Sequence, residues 1–408
     1  MKGIHVFTKD LRINDNYALQ SLAGIVDEII PLFIIDNNQF NSEHFSSRAA
    51  GYMIDCLEDL NKKINNCLNI ETGIPSIIIN KILKKHKVSF VSLNGDFTQY
   101  SIKRQQEIEK VCQINNVKLF INNNNQSLAP MDKLTKTDGS PYLIYGPFYI
   151  NEIKHIQKPF KLIKKVKWIS INDTPNFDKI RKKYKLPTYG VNSDIINLKQ
   201  RMNRAGAKDI LSINEDSSLL SAALNFGLVS IRECWQATVK HEAKRSLIWR
   251  DHYLCIFRYH PRGNQYKFID ERYDLIKWPK VNQNEWKAFI ECRTGFLLID
   301  ACMKAFQSES TENHIVGFID NRARLLLATF WIKYLLISPF DKKYGSQIWF
   351  SKLLYDCSAS QNKMNHQWII GDTDISGRRY YMKKTHPLTG RMIRIDNDII
   401  KKCDQWDP

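Results

Sequence analysis

The side chains with the most chemical promise open an apolar run. Asn321-Arg322-Ala323-Arg324 leads into Leu325-Leu326-Leu327-Ala328-Thr329-Phe330-Trp331. On a helix Asn321, Arg324 and Ala328 share one face, and Arg324, beside Leu325, is directed to the interior. A buried guanidinium needs a carboxylate or an anionic ligand; a structural ion pair would meet that need as well as a ligand. A second cluster, Arg245 to Tyr253, sets Ser246, Trp249, Arg250 and Tyr253 at i, i+3, i+4 and i+7. An aromatic next to a cation can stack a base and hold a phosphate. The same pattern also suits an amphipathic helix whose tryptophan is core. Third, Ser217-Ser218-Leu219-Leu220-Ser221 follows Asn214-Glu215-Asp216. Three hydroxyls at a predicted helix start offer donors to a phosphate, whereas an ordinary N-cap explains only one of them.

The elements that must position these residues follow from periodicity. Residues 1–125 alternate short β-branched runs (Ile4–Phe7, Ile29–Ile35, Val88–Leu93) with helical stretches (Ser47–Ile64, Ser101–Cys112). That alternation predicts a parallel sheet flanked by helices. No GxGxxG and no GxxxxGK[ST] occurs, so this half carries no dinucleotide or P-loop signature. Asn122-Asn123-Asn124-Asn125 marks its edge. Residues 126–194, rich in Lys and Pro, read as an interdomain connection. From 195 to 408 helical periodicity dominates, with predicted helices at Ser217–Leu224, Ser230–Lys240, Arg245–Phe257, Asn284–Ile290, Leu298–Phe306 and Asp320–Leu336. The pattern is lost after His386.

Charge narrows the partner. Sixty Lys and Arg against forty-two Asp and Glu leave +18 over 408 residues, a surface that attracts phosphate backbones or anionic lipid. An AT-rich coding sequence would also enrich lysine. Nine cysteines with no CxxC spacing weaken the zinc and redox-motif readings and fit reduced thiols in a cytoplasm or nucleus. The N-terminus lacks a signal-peptide core, and the most apolar stretch, Leu325 to Ile337, is short for a bilayer and contains Lys333. A soluble monomer is expected.

Taken in order, these pieces resemble the photolyase/cryptochrome family. Val6-Phe7-Thr8-Lys9-Asp10-Leu11-Arg12-Ile13-Asn14-Asp15-Asn16 is similar to the family's opening, and Lys136 to Phe148 to the segment ending its antenna domain. Ser217 to Ser221 with Asn225-Phe226-Gly227 and Ser230-Ile231-Arg232 resembles its flavin-phosphate motif. Trp249-Arg250-Asp251, Arg293-Thr294-Gly295-Phe296 through Met303, and Asp320-Asn321-Arg322-Ala323-Arg324 resemble three further signatures. The resemblance implies an α/β antenna domain and a helical domain that binds FAD, the flavin carrying the chemistry and the protein tuning it. By position it implies that Arg324 faces Asp356 and the flavin ring, that Asn362 lies beside the flavin, and that Ser217, Ser218 and Ser221, with the backbone of Leu219 and Leu220, hold the pyrophosphate. Arg250, Asn321 and Ser358 join the cofactor set. Trp249 and Trp368, with Arg322, would meet an extruded base of damaged DNA. Gly95 to Arg104 resembles the antenna-side segment, which takes folate or deazaflavin.

Departures from the family pattern shape the functional expectation. Ser358 stands in place of a second carboxylate after Asp356, and Ser246 replaces a Glu or Gln that bonds the lesion. Asp320-Asn321 replaces the paired histidines of (6-4) repair, which disfavours that chemistry. The usual tyrosine upstream of the phosphate motif is replaced around Ala205 and Gly206. Of the electron-relay tryptophans only the outer one, Trp278, is kept; the middle place falls at Lys342 to Tyr344 and the inner is His366. Photoreduction along that path is expected to be slow. The end at Pro408 implies no signalling tail. The expected function is light-driven DNA repair, with a blue-light photoreceptor and a DNA-binding flavoprotein without repair activity as alternatives.

Overall fold

The computed structural model describes residues 1–162, 164–204, 217–309 and 315–370. The replacements at Ala205 and Gly206 and the segment after His386 lie outside them. Six strands form one parallel sheet: β1 (Lys2–Phe7), β2 (Glu28–Ile35), β3 (Asn69–Thr72), β4 (Phe90–Asn94), β5 (Lys118–Asn122) and β6 (Lys167–Trp168). Their order is β3-β2-β1-β4-β5, with β6 also on β2. β3 pairs with Leu32–Ile35 and β6 with Glu28–Ile29, so two short strands share one edge of β2 end to end. The predicted parallel sheet is present. Periodicity missed β3, β5 and β6, which hold two to five residues each; a run that short carries too few alternations to show. Thus the segment read as a connection supplies a strand to the sheet.

Helices α1 (Tyr17–Ala23), α2 (Asn37–Phe40), α3 (Ser47–Lys63), α4 (Pro75–Lys85) and α5 (Gln99–Ile114) flank the strands. Then come α6 (Tyr145–Glu152), α7 (Phe177–Tyr184) and α8 (Leu198–Arg204). The helical half holds α9 (Ser221–Asn225), α10 (Ile231–Gln236), α11 (His241–Tyr259), α12 (Gln283–Ile290), α13 (Leu297–Gln307), α14 (Asn321–Thr329), α15 (Ser346–Leu353) and α16 (Ala359–Ile370). Three predicted helices need correction. Residues 217–220 are not helical: the hydroxyls of Ser217 and Ser218 accept from the N–H of Leu219 and Leu220, a local bond that competes with the helix, and Leu219 is left-handed at φ 51°. α10 ends at Gln236, short of Lys240. The run from Asp320 does not continue as one α-helix to Leu336; after Thr329 it widens into a π turn, Phe330–Tyr334.

The two halves share one apolar core, in which Leu11 and Tyr52 of the first meet Phe226, Tyr355 and Met364 of the second. Polar bolts cross the same interface. Arg12 Nη1 donates to Gly227 O at 3.1 Å, and the buried pair Arg232–Asp15 closes at 2.8 Å. Gly227 sits at φ +69°, and a Cβ there would fall 2.3 Å from Lys9 O, so only glycine permits this approach. Arg48 of α3, 3% exposed, donates to Phe306 O and Leu353 O, both at 2.9 Å. It thereby satisfies carbonyls at the ends of α13 and α15.

Candidate functional site

Two elements build the site. The Asp320 side chain caps α14 by accepting from Arg322 N at 2.8 Å, which sets Asn321, Arg322 and Arg324 in the first turn. Arg324 Nε donates to Ile319 O at 2.8 Å and Nη2 to Asp356 Oδ2 at 2.9 Å. Burial is the largest single influence and would pull the guanidinium's pKa down, but the charge and hydrogen bond of Asp356, with Tyr355 and Asp320, together raise it, so Arg324 stays ionised. The second carboxylate oxygen, Asp356 Oδ1, is buried and has no hydrogen-bond partner among the described residues. An orphaned charged oxygen is costly unless something else binds there.

α16 supplies the opposite wall. Asn362 donates from Nδ2 to Gln347 O at 3.2 Å, and its carbonyl accepts from His366 Nδ1 at 2.7 Å. Burial pushes the His366 pKa down to about 4, so the imidazole is neutral at neutral pH. The carbonyl partner assigns its proton to Nδ1, which leaves the Nε2 lone pair unpartnered. Asn321, Arg324, Asp356, Ser358, Asn362 and His366 all line a cavity of about 50 Å³. The Ser358 hydroxyl pairs with that of the neighbouring Ser360 at 3.3 Å, and its carbonyl accepts from Asn362 N at 2.8 Å. Cys357 and Asn362 also line a larger cavity of about 540 Å³. That one opens at the carboxyl ends of β1 and β2, near the point where strand order reverses, a common ligand position in such sheets. Lys9, Tyr100 and Arg104 line it too, and Arg104 Nε has no hydrogen-bond partner among the described residues.

Other expected residues lie elsewhere in the arrangement. Arg250 Nη1 donates to Gln126 O at 2.5 Å and to Asp251 Oδ1 at 3.1 Å, binding the connection rather than the Asp356 ring of residues. Trp249 on α11 stacks against Tyr145 with centroids 3.9 Å apart and planes 10° apart; the Arg245 guanidinium lies 5.8 Å from the Tyr145 centroid. Trp368 stands on α16, which packs on α11. Ser246 Oγ turns back to Glu242 O at 3.0 Å. Trp278 packs at the rim of the helical core. Lys363 was not legible in the sequence: its buried Nζ donates to the carbonyls of Arg262, Gly263 and Gln265 at 2.6–2.7 Å, clamping a loop that lines the larger cavity.

Comparison with known proteins decides the family. Residues 4–164 match the DNA photolyase family and residues 243–402 match the FAD binding domain of DNA photolyase. The chain belongs to the photolyase/cryptochrome family. Deoxyribodipyrimidine photo-lyase of Streptomyces griseus is 22% identical over 90% of this chain and 82% of its own. Cryptochrome-1 of Erithacus rubecula is 24% identical over 90% of this chain and 64% of its own. An archaeal photolyase structure from Sulfolobus tokodaii, with two FAD molecules, superposes with TM-score 0.78 at 25% identity, covering 95% of this chain and 86% of that one. A class III photolyase from Agrobacterium tumefaciens superposes at TM-score 0.72 and 19% identity, over 99% and 92% of the two chains. The helical half of this photolyase/cryptochrome-family chain is therefore a FAD-binding domain. Among the described residues no helix is long and apolar enough to cross a membrane.

Proposed function

We propose that this chain repairs damaged pyrimidines in DNA by light-driven electron transfer from reduced FAD. The observation that carries the reading is the charged Arg324 held against Asp356, whose second oxygen has no partner among the described residues, in the wall of a cavity bordered by Asn362 inside the FAD-binding domain. When bound, the flavin supplies the light absorption and the electron. The chain's own residues bind and tune: Arg324 places a fixed positive charge, which favours the anionic reduced ring, and Asn362 offers its amide. Asp356 Oδ1 would accept a hydrogen bond from the flavin. A flavin ring exceeds the smaller cavity, so its binding must draw on space beside the wall that Cys357 and Asn362 share with the larger one. Ser217, Ser218, Ser221 and the Leu219–Leu220 backbone are the proposed pyrophosphate contacts. A second chromophore is proposed for the cavity beside Arg104. Trp249, Trp368 and Arg322 are the proposed lesion contacts, on a chain whose +18 charge suits DNA.

Ser246 favours a second reading, a flavoprotein that binds DNA or a partner without repairing. Its hydroxyl is tied to its own helix, where a longer acidic or amide side chain would reach outward. A blue-light repair assay on irradiated oligonucleotides tests the proposal. Restoration of intact pyrimidines in the light and not in the dark supports it; unchanged lesions with FAD fully reduced would leave the second reading.

A further inference from the structure

We infer that this chain carries its own one-electron route between the flavin site and the surface, through Trp331, Trp286, Trp349 and Tyr344. The inference rests on the FAD reading above. Phe350 forms part of the wall of the cavity that holds Arg324 and Asp356. Its ring meets His366 at 5.0 Å on one side and Trp331 at 6.2 Å on the other. Trp331 is wholly buried; its centroid lies 5.3 Å from Trp286 and 6.0 Å from Trp349. Trp286 in turn lies 5.3 Å from both Trp349 and Tyr344. One phenyl ring thus separates the cavity from three packed indoles, and they end at a half-buried phenol. Trp278, by contrast, makes no ring contact among the described residues, and His366 is a neutral imidazole.

The π turn sets the geometry. Its wide hydrogen bond, Leu335 N to Phe330 O at 3.0 Å, shifts the register after Thr329, as single π turns do at functional sites. Within it Trp331 Nε1 donates to Tyr344 O at 2.7 Å. Trp349 Nε1 likewise donates to Lys343 O at 3.1 Å.

Those two bonds decide how charge moves. Light-excited oxidised flavin is a strong one-electron oxidant, and indole is among the few side chains able to reduce it. Trp331 gives the flavin one electron and becomes an indole cation radical. A backbone carbonyl is too weak a base to take the Nε1 proton, so the positive charge stays mobile. Trp286 or Trp349 refills Trp331 with an electron, and Tyr344 refills them. Tyr344 then loses its phenolic proton to water, since the Lys343 ammonium 4.9 Å from its ring centroid disfavours a second cation there. An external thiol returns one electron and one proton to the tyrosyl radical and is itself oxidised by one electron.

The test is transient absorption and electron paramagnetic resonance on the FAD-loaded full chain, illuminated without oxygen in the presence of an external thiol. Trp331→Phe should slow flavin photoreduction at least about tenfold. Tyr344→Phe, at the surface, should abolish the tyrosyl signal and lengthen the life of the indole radical. Parent-rate reduction in a flavin-replete Trp331→Phe protein overturns the route, as does a tyrosyl signal that persists in Tyr344→Phe. Loss of photoreduction in Trp278→Phe alone also overturns it. Flavin content read from absorbance separates the premises: a parent protein that takes up no FAD overturns the flavin reading itself.

Discussion

Arg324 and Asp356 form an ion pair of 2.9 Å, and the carboxylate helps keep the guanidinium charged. The Asp356 side chain is 1% exposed and that of Arg324 is 20% exposed. Removing one partner of such a pair strands the other charge, which typically costs about 3–5 kcal/mol. Arg324→Ala should therefore purify with well under a tenth of the parent's flavin, read as the ratio of flavin to protein absorbance. Normal occupancy would show that the cofactor does not depend on this cation. Part of this site was legible before any fold was known: an arginine directed inward at the head of an apolar helix needs an anion, and physics alone poses that question. Its partner was not legible by spacing, because Asp356 lies 32 residues away and only the docking of α16 beside α14 brings it close. The resemblance to known sequences bridged that gap. The protein contacts of Arg250 were equally hidden: its Nη1 donates to Gln126 O and Asp251 Oδ1, and the first of these depends on how the connection packs.

At the scale of elements, α6 and α11 meet through two buried acids. Glu152 is 0% exposed, and its carboxyl oxygens have no hydrogen-bond partner among the described residues. Burial first, and then the charge of neighbouring Asp251, push its pKa well above the ordinary value. In the unfolded chain the same group ionises near 4.5. Above that pH the unfolded state holds fewer protons than the folded one, so stability falls as pH rises, by about 1.4 kcal/mol for each unit by which the folded pKa exceeds the unfolded one. Glu152→Gln keeps the shape, removes the titration and can donate to Asp251. Thermal unfolding followed from pH 5 to pH 8 should decline for the parent and stay flatter for the variant, with the variant the more stable at neutral pH. Parallel curves would place the titration elsewhere. Neither this pair nor the π turn could be read from the chain. Helical periodicity reports which faces are apolar, and both features depend instead on which neighbour each face meets.

At the scale of the whole molecule, the two halves are joined by more than a covalent tether. Arg12 and Asp15 belong to the opening motif that first suggested the family, and in the fold they are interface residues, bound to Gly227 and Arg232. The alternation of strand and helix patterns was enough to place a parallel sheet at the front and helices behind. The extent of the sheet was not, because a strand of two residues leaves no period to detect. Arg48, which reaches carbonyls of α13 and α15 from α3, was equally hidden, since nothing in its local sequence differs from a surface arginine on a helix.

The strand formed by Lys167 and Trp168 also governs how this chain can be divided. It covers Glu28 and Ile29 on the side of β2 that β3 leaves bare. A truncated protein ending at residue 125 would present those N–H and C=O groups as an open template for a second molecule. Such a fragment should form oligomers on a sizing column, while one extended to residue 169 should elute as a smaller species. The stitch is two residues long, yet it closes a strand edge that would otherwise add to the core face any separate front half already exposes.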